Sequence, residues 1–213
     1  QYCDQLINIM KTREMLFVPS VLFADQRIID VLISCGVLKK VDKKIGFCHQ
    51  SFFDYYSVVD DLNQLFQGQH VVSIIGSMDK QTPDTRYQLL MLLQYLSEFD
   101  CKMFLEVCRE LLETPNIRYY FRCCAIEVLG QCTNPDIKYW ELINVFFHQI
   151  EWHSQMVQII FWGHSAFIQL LSEQMPEYKW TEREGRLLLG SVVREAPELV
   201  WTILQKINNN CLK

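Results

Sequence analysis

The sequence predicts a mostly α-helical protein with one short β-hairpin near the N-terminus. Helices are favoured because the 213 residues include only six prolines and eight glycines, the residues that most often interrupt helices. Apolar residues also recur at helical spacing through most of the chain. Half of the residues are hydrophobic and 21% are charged, which is typical of a globular chain and not of a disordered one.

The first 35 residues predict two helices joined by an extended stretch. Residues 2–10 carry apolar positions that suit the end of a helix. Residues 15–18 form a short apolar run that Pro19 stops, which predicts a strand or an extended connector. Residues 23–35 form a helical stripe, and Gly36 follows where helices commonly place a left-handed residue.

A hairpin and another helix come next. The runs 37–41 and 44–48 flank the polar pair Asp42-Lys43, which predicts two strands joined by a tight turn. A helix then begins at about Ser51. Helix, hairpin and helix in under fifty residues is the pattern of a winged-helix unit, so we expect a winged-helix-like domain over residues 1–61.

The rest of the chain predicts helical repeats. Residues 62–84 form a connecting segment that glycines and a proline interrupt. Residues 85–213 show about four helix pairs, the last over residues 181–208, which predicts an α-solenoid of the HEAT or ARM type. Residues 115–136 read PNIRYYFRCCAIEVLGQCTNPD, which is similar to a HEAT-type repeat. An irregular helical bundle is the alternative.

Charge and hydropathy restrict the environment of the chain. The net charge of −5 argues against nonspecific nucleic-acid binding as the main role. The most apolar stretch, residues 156–171, has polar interruptions and is shorter than the roughly 20 apolar residues that a membrane span needs. The chain starts at Gln1 without a methionine and ends close behind a helical pattern, so we expect a piece of a longer cytoplasmic protein.

The nine cysteines have no regular spacing and no secretory signal before them, which favours reduced thiols. A structural zinc site is the alternative, although no Cys-x-x-Cys motif supports it. The cysteines considered for that site are Cys101, Cys108, Cys123, Cys124 and Cys132.

The most informative run is GFCHQSFFDYY, residues 46–56. Ser51 and Asp54 fit Ser-x-x-Asp, a variant of the capping box, so we expect Ser51 to be the N-cap and Asp54 to lie in the first helical turn. His49 would then lie two residues before the cap, mounted between a strand and a helix. A histidine bonded to a backbone carbonyl in a small core is the structural alternative.

This run resembles a known motif. Phe47-x-His49-x-Ser51-Phe52-x-Asp54-Tyr55 is similar to the segment that closes the winged-helix domain of STAND-class NTPases, the signalling ATPases that include NACHT proteins and NOD-like receptors. The preceding LISCGVLKKVDKKIGF resembles their helix, turn and hairpin, so the resemblance covers residues 15–60.

The resemblance implies a role for His49. In that family the winged-helix histidine reaches the β-phosphate of ADP and helps to hold a closed state, whose opening favours oligomerisation. The helical repeats of such proteins act as sensors or protein-binding scaffolds. No phosphate-binding loop of the Gly-x-x-x-x-Gly-Lys-[ST] type occurs here, so the partner of His49 would be an upstream nucleotide-binding domain. This chain would then be non-catalytic and hold no cofactor, and ADP or ATP with Mg²⁺ would belong to the parent protein.

Two other functions remain open. Lys39, Lys40, Lys43 and Lys44 could meet nucleic-acid backbone phosphates in a winged-helix protein with a helical oligomerisation domain. Against this, residues 1–60 carry seven basic and seven acidic side chains. An enzyme could use His148, His153 or His164 as a base, but no nucleophile elbow or zinc motif accompanies them.

Overall fold

The computed structural model of the protein describes residues 2–162 and 164–207. Twelve α-helices and one three-stranded antiparallel sheet occupy most of this range, so the described part of the chain is mostly helical, as the composition predicts. The chain divides into two compact units. The first comprises the residues up to Gly76 with Thr82–Leu92, and the second comprises Ser77–Gln81 with the residues from Leu93 onward.

The first unit contains a small sheet among helices. Its elements are α1 (Tyr2–Arg13), β1 (Val18–Pro19), a 3₁₀ turn (Ser20–Leu22), α2 (Gln26–Ser34), β2 (Leu38–Val41), β3 (Lys44–Phe47), α3 (Gln50–Phe66), α4 (Val71–Ile75) and the start of α5 (Pro83–Phe99). The apolar run at residues 15–18 therefore leads into a strand. The predicted helix at residues 23–35 begins slightly later than expected, because Asp25 caps it by accepting a hydrogen bond from the Arg27 backbone N–H.

The sheet has the order β1-β3-β2, with β3 in the centre. Leu38 pairs with Phe47 and Val41 pairs with Lys44, so the predicted hairpin turns at Asp42-Lys43. Asp42 adopts a left-handed φ of 55°, which aspartate tolerates better than most residues. Gly36 has φ 73° at the end of α2, which confirms the expected left-handed residue.

One apolar core holds the helices against the sheet in the first unit. The hairpin contributes Leu38, Ile45 and Phe47 to it, and α1 contributes four residues. The buried residues of this core are Cys3, Leu6, Ile7, Met10, Val18, Phe23, Ile29, Leu38, Ile45 and Phe47.

The second unit is helical. After a 3₁₀ turn (Met78–Lys80) and the end of α5 come α6 (Cys101–Glu113), α7 (Tyr119–Leu129), α8 (Ile137–Phe147), α9 (Ile150–Met156) with a π-helical continuation (Val157–Phe161), α10 (Ser165–Gln174), α11 (Glu182–Glu195), a 3₁₀ turn (Pro197–Leu199) and α12 (Val200–Lys206). Residue 208, where the last predicted helix pair ends, lies outside the described residues.

Aromatic side chains fill the interior of the second unit. The fully buried aromatic residues are Phe104, Phe121, Phe146, Phe147, Trp152, Phe161, Phe167 and Trp180. The segment before α11 is hydrogen-bonded to the end of α12, because the backbone N–H of Trp180 donates to the Lys206 carbonyl oxygen at 2.7 Å. The aromatic residues of this half therefore act mainly as core.

Candidate functional site

His49 is the N-cap of α3, which corrects the expectation that Ser51 caps this helix. The His49 backbone is extended, with φ −133° and ψ 147°, and its side chain accepts from the Ser51 backbone N–H. The helix consequently begins at Gln50. A histidine can take this position because its unprotonated ring nitrogen supplies the acceptor that serine or aspartate oxygens usually supply.

The cap determines which nitrogen of His49 is available to a ligand. Nδ1 lies 3.3 Å from the Ser51 nitrogen and 2.8 Å from the Ser51 hydroxyl oxygen. When Nδ1 accepts the cap hydrogen bond, the proton of the neutral ring is on Nε2. The ring is exposed, and Nε2 has no hydrogen-bond partner among the residues that the structure describes. His49 therefore presents one N–H donor to solvent from the N-cap position of α3.

A cleft of about 260 Å³ lies beside His49 in the first unit. Its lining residues are Met10, Leu16, Phe17, Lys39, Phe47, Cys48, His49, Gln50 and Phe53. Lys39 extends over the Phe17 ring, with its ammonium nitrogen 5.4 Å from the ring centroid. One cation and one N–H donor thus border a partly apolar cleft, and this combination suits an anionic group on an organic ligand.

Lys39 is a site residue that the motif comparison missed. Strand residues alternate between the two faces of a sheet, so a buried Leu38 places Lys39 on the opposite face. That alternation was visible in the sequence. The wall of the cleft could not be predicted from the sequence, because it depends on the contact of Leu16 and Phe17 with Gly46.

The other motif residues have structural surroundings. Phe47 is buried and stacks on Tyr56 with a centroid distance of 5.5 Å. Phe52 is half-buried against the same core, and the Tyr55 ring is exposed.

Asp54 lies two residues further into α3 than expected, beyond the first turn, because the helix begins at Gln50. It is buried, and it accepts hydrogen bonds from the side-chain amides of Gln50 at 3.0 Å and Gln88 at 3.2 Å. Asp54 therefore supports packing and does not supply charge to the first turn.

The hairpin lysines and α2 bear on nucleic-acid binding. Lys39, Lys40, Lys43 and Lys44 are all exposed. The exposed face of α2, however, carries Ile28 and Val31, with Arg27 as its single basic residue. A groove-reading helix would normally present several polar or basic side chains to base edges and phosphates.

The three histidines of the second unit have different surroundings. His148 is exposed at the end of α8, and the His164 ring packs edge-on against Phe167. Both nitrogens of His153 are engaged, one by the Phe147 carbonyl oxygen and one by Glu184.

In residues 2–162 and 164–207, no three side chains of the metal-binding types lie close enough to share an ion. No helix within the same ranges combines the length and the apolar character needed to cross a membrane.

The candidate site therefore consists of His49, Lys39 and the cleft between them, on the hairpin and the first turn of α3. It combines one cation and one exposed imidazole beside a partly apolar cleft. No protein-family model, curated protein or solved structure matches this chain.

Proposed function

We propose that this chain is a non-catalytic regulatory and interaction segment of a cytoplasmic STAND-type signalling NTPase. The first unit would act as its winged-helix domain, and the second as HEAT-like helical repeats that sense or bind a protein ligand. ADP or ATP with Mg²⁺ would be held mainly by a nucleotide-binding domain upstream in the parent chain.

The placement of His49 is the observation that supports the proposal most directly. The residue matches the motif histidine, its ring is exposed, and its free N–H points away from the helix cap. A phosphate oxygen accepts hydrogen bonds well, and more strongly when it is ionised. Lys39 across the cleft adds a positive charge that would attract the same phosphate group.

The position of His49 between β3 and α3 supports a switch between two domain arrangements. Its backbone is held by β3 on one side and α3 on the other, so a domain that moves would carry the imidazole toward or away from the nucleotide as one piece. A contact made only in the closed arrangement stabilises that arrangement by the free energy of the contact. Losing the contact would shift the population toward an open, oligomerising state.

The helical half supports a scaffold role. From α6 to α12 the helices of the second unit follow one another with short connections. Helical repeats commonly build extended surfaces for protein ligands. The nucleic-acid alternative is less well supported, because the exposed residues of α2 include Ile28, Val31 and Asp30 with one basic residue, Arg27.

The proposal is tested by the nucleotide content of the longer parent chain. We expect wild-type protein to release bound ADP when it is denatured. We expect His49→Ala to release several-fold less, because the phosphate contact is lost.

Two control variants separate the phosphate contact from the helix cap. His49→Asn keeps a good N-cap side chain but is too short to reach a phosphate, so it should behave like His49→Ala. His148→Ala removes an exposed histidine of the second unit and should retain wild-type ADP. No nucleotide in any of these proteins would refute the proposal, as would equal amounts of ADP in wild type and both His49 variants.

A further inference from the structure

The imidazole ring of His153 is held between two oxygen acceptors in the second unit. Nδ1 lies 2.7 Å from the carbonyl oxygen of Phe147 at the end of α8, and Nε2 lies 2.7 Å from Oε1 of Glu184 in α11. A carbonyl oxygen and an ionised carboxylate accept hydrogen bonds but do not donate them. Both contacts are hydrogen bonds only when both ring nitrogens carry hydrogen, as they do in the imidazolium form of the ring.

Glu184 is ionised at neutral pH and has two partners. Burial alone raises the pKa of its carboxyl, but hydrogen bonds from the backbone and side chain of Thr181, together with His153, lower it below its usual value. Oε2 accepts from the Thr181 N–H at 2.9 Å, and the Glu184 N–H donates to the Thr181 hydroxyl at 3.3 Å. One carboxylate thus closes the capping box of α11 with one oxygen and binds His153 with the other.

Other ionisable groups lie near Phe147 and His153, among them His148, whose ring lies 5.3 Å from the Phe147 ring. Tyr178 lies across the Phe147 ring at 5.2 Å, and burial followed by the charge of Glu184 raises its pKa, so it is neutral. On α9 itself, Glu151 is paired with Arg122 at 2.7 Å. Arg183 is exposed in the first turn of α11. Among the described residues, Glu184 is the charged group that contacts the His153 ring directly.

Solvent reaches this pair. Thr181, Arg183 and Glu184 line an open cleft of about 490 Å³, whose opposite wall includes Ser154 and Val157. Protons can therefore exchange at the pair without unfolding of the unit.

We propose that His153 and Glu184 form a proton-dependent latch that fastens the first turn of α11 to the end of α8. When the ring loses one proton, one of its nitrogens no longer carries hydrogen. In either neutral tautomer, that nitrogen faces an oxygen with a lone pair and cannot donate. The latch is then reduced from two hydrogen bonds to one, and the first turn of α11 opens more often. This inference does not depend on the proposed function, since it concerns contacts within the second unit alone.

The test is hydrogen exchange of the Thr181, Glu184 and Gly185 backbone amides in the whole chain. Exchange is measured between about pH 5.5 and pH 8, the range in which imidazole side chains ordinarily titrate, and is corrected for the intrinsic exchange rate. In wild type the opening equilibrium constant should rise about tenfold across this range, the factor expected for loss of one charge-assisted hydrogen bond.

Three variants decide the outcome. His153→Gln keeps an amide donor without a titrating group, and its opening constant should be high and independent of pH. Glu184→Gln can still accept from Thr181 but carries no charge, so it should also lose the pH response. His148→Gln removes a neighbouring exposed histidine and should respond as wild type does.

A flat response in wild type would overturn the proposal, and so would an undiminished response in His153→Gln. If His153→Gln does not fold, Glu184→Gln gives the same decision, because an undiminished response in that variant would equally exclude the latch.

Discussion

A Cβ atom built on Gly46 would lie 2.5 Å from the carbonyl oxygen of Leu16 and 2.9 Å from the Phe17 ring. Strand β3 therefore contacts the chain before β1 more closely than any side chain allows. This contact positions Leu16 and Phe17 as a wall of the cleft beside His49. The glycine in the hairpin consequently has a direct structural role at the candidate site.

Gly46→Ala should destabilise the first unit. Backbone must move to relieve the contact with Leu16, and overpacking of this kind typically costs about 1–3 kcal/mol. Urea unfolding followed by circular dichroism measures the loss. The matched control is Gly190→Ala in α11, where a Cβ meets nothing within 4 Å and should be neutral or slightly stabilising. Equal stability of Gly46→Ala and wild type would contradict the close contact.

Lys11 balances a buried carboxylate. Its ammonium nitrogen lies 2.6 Å from Asp61 and 3.2 Å from Asp60. Burial raises the pKa of Asp61, and Lys11 opposes the rise. Lys11→Met should therefore destabilise the chain at neutral pH by about 2 kcal/mol, because it leaves Asp61 buried without its cation.

The pH profile gives a second readout for Lys11. A carboxyl whose pKa is raised by folding binds its proton more tightly when folded, so its contribution to stability falls as the pH rises through that pKa. The loss in Lys11→Met should therefore shrink in acid, where Asp61 is protonated. Lys102→Met, which removes an exposed partner of Glu106 at 3.7 Å, should change little at any pH. A Lys11→Met loss that stays constant down to about pH 3 would argue against this account.

Glu184 should make the second unit sensitive to acid. Its pKa is lowered in the folded state by Thr181 and His153 after the opposing effect of burial. Its contribution is therefore present above the unfolded-state pKa and is lost as the pH falls through the folded-state pKa. Glu184→Gln should be less stable than wild type at pH 7 and should approach it below about pH 4. The control is Glu182→Gln, an exposed partner of Arg186. Parallel profiles for wild type and Glu184→Gln would refute this assignment.

Arg122 joins three helices of the second unit. It donates to the Leu112 carbonyl oxygen at 2.5 Å and to Glu151 at 2.7 Å, and its guanidinium lies 4.5 Å from the Trp152 ring. Arg122→Lys loses the planar fork and the stacking, so we expect a cost of about 1–3 kcal/mol in urea unfolding. Arg109→Lys, at a half-exposed pair with Glu113, should cost less than about 0.5 kcal/mol. Indistinguishable losses in the two variants would contradict the role of Arg122.

Local patterns in the sequence were sufficient for most of the secondary structure. Gly36 marked the end of α2, and the pair Asp42-Lys43 marked the hairpin turn, because both depend on backbone conformations that few residues adopt. The prediction that Ser51 caps α3 was wrong for a local reason. Ser51 and Asp54 imitate a capping box, whereas a histidine is an unusual N-cap residue.

Contacts between distant residues could not be predicted in this way. Asp54 meets Gln88 across 34 positions, and His153 meets Glu184 across 31 positions. Both pairs depend on how helices pack, which apolar spacing does not specify. The order of hairpin, His49 and helix was predicted correctly, because these are consecutive in the chain, but His49 caps the helix instead of lying two residues before the cap.

The rate of ADP release from the parent chain tests the central claim most directly. A fluorescent ADP analogue bound to the wild-type parent protein is chased with excess ADP, and the same measurement is made on His49→Asn. If His49 contacts the phosphate, release should be about tenfold faster in His49→Asn, which corresponds to the loss of one hydrogen bond of about 1.4 kcal/mol. Equal release rates, with the cap of α3 intact in both proteins, would contradict the proposed role of His49.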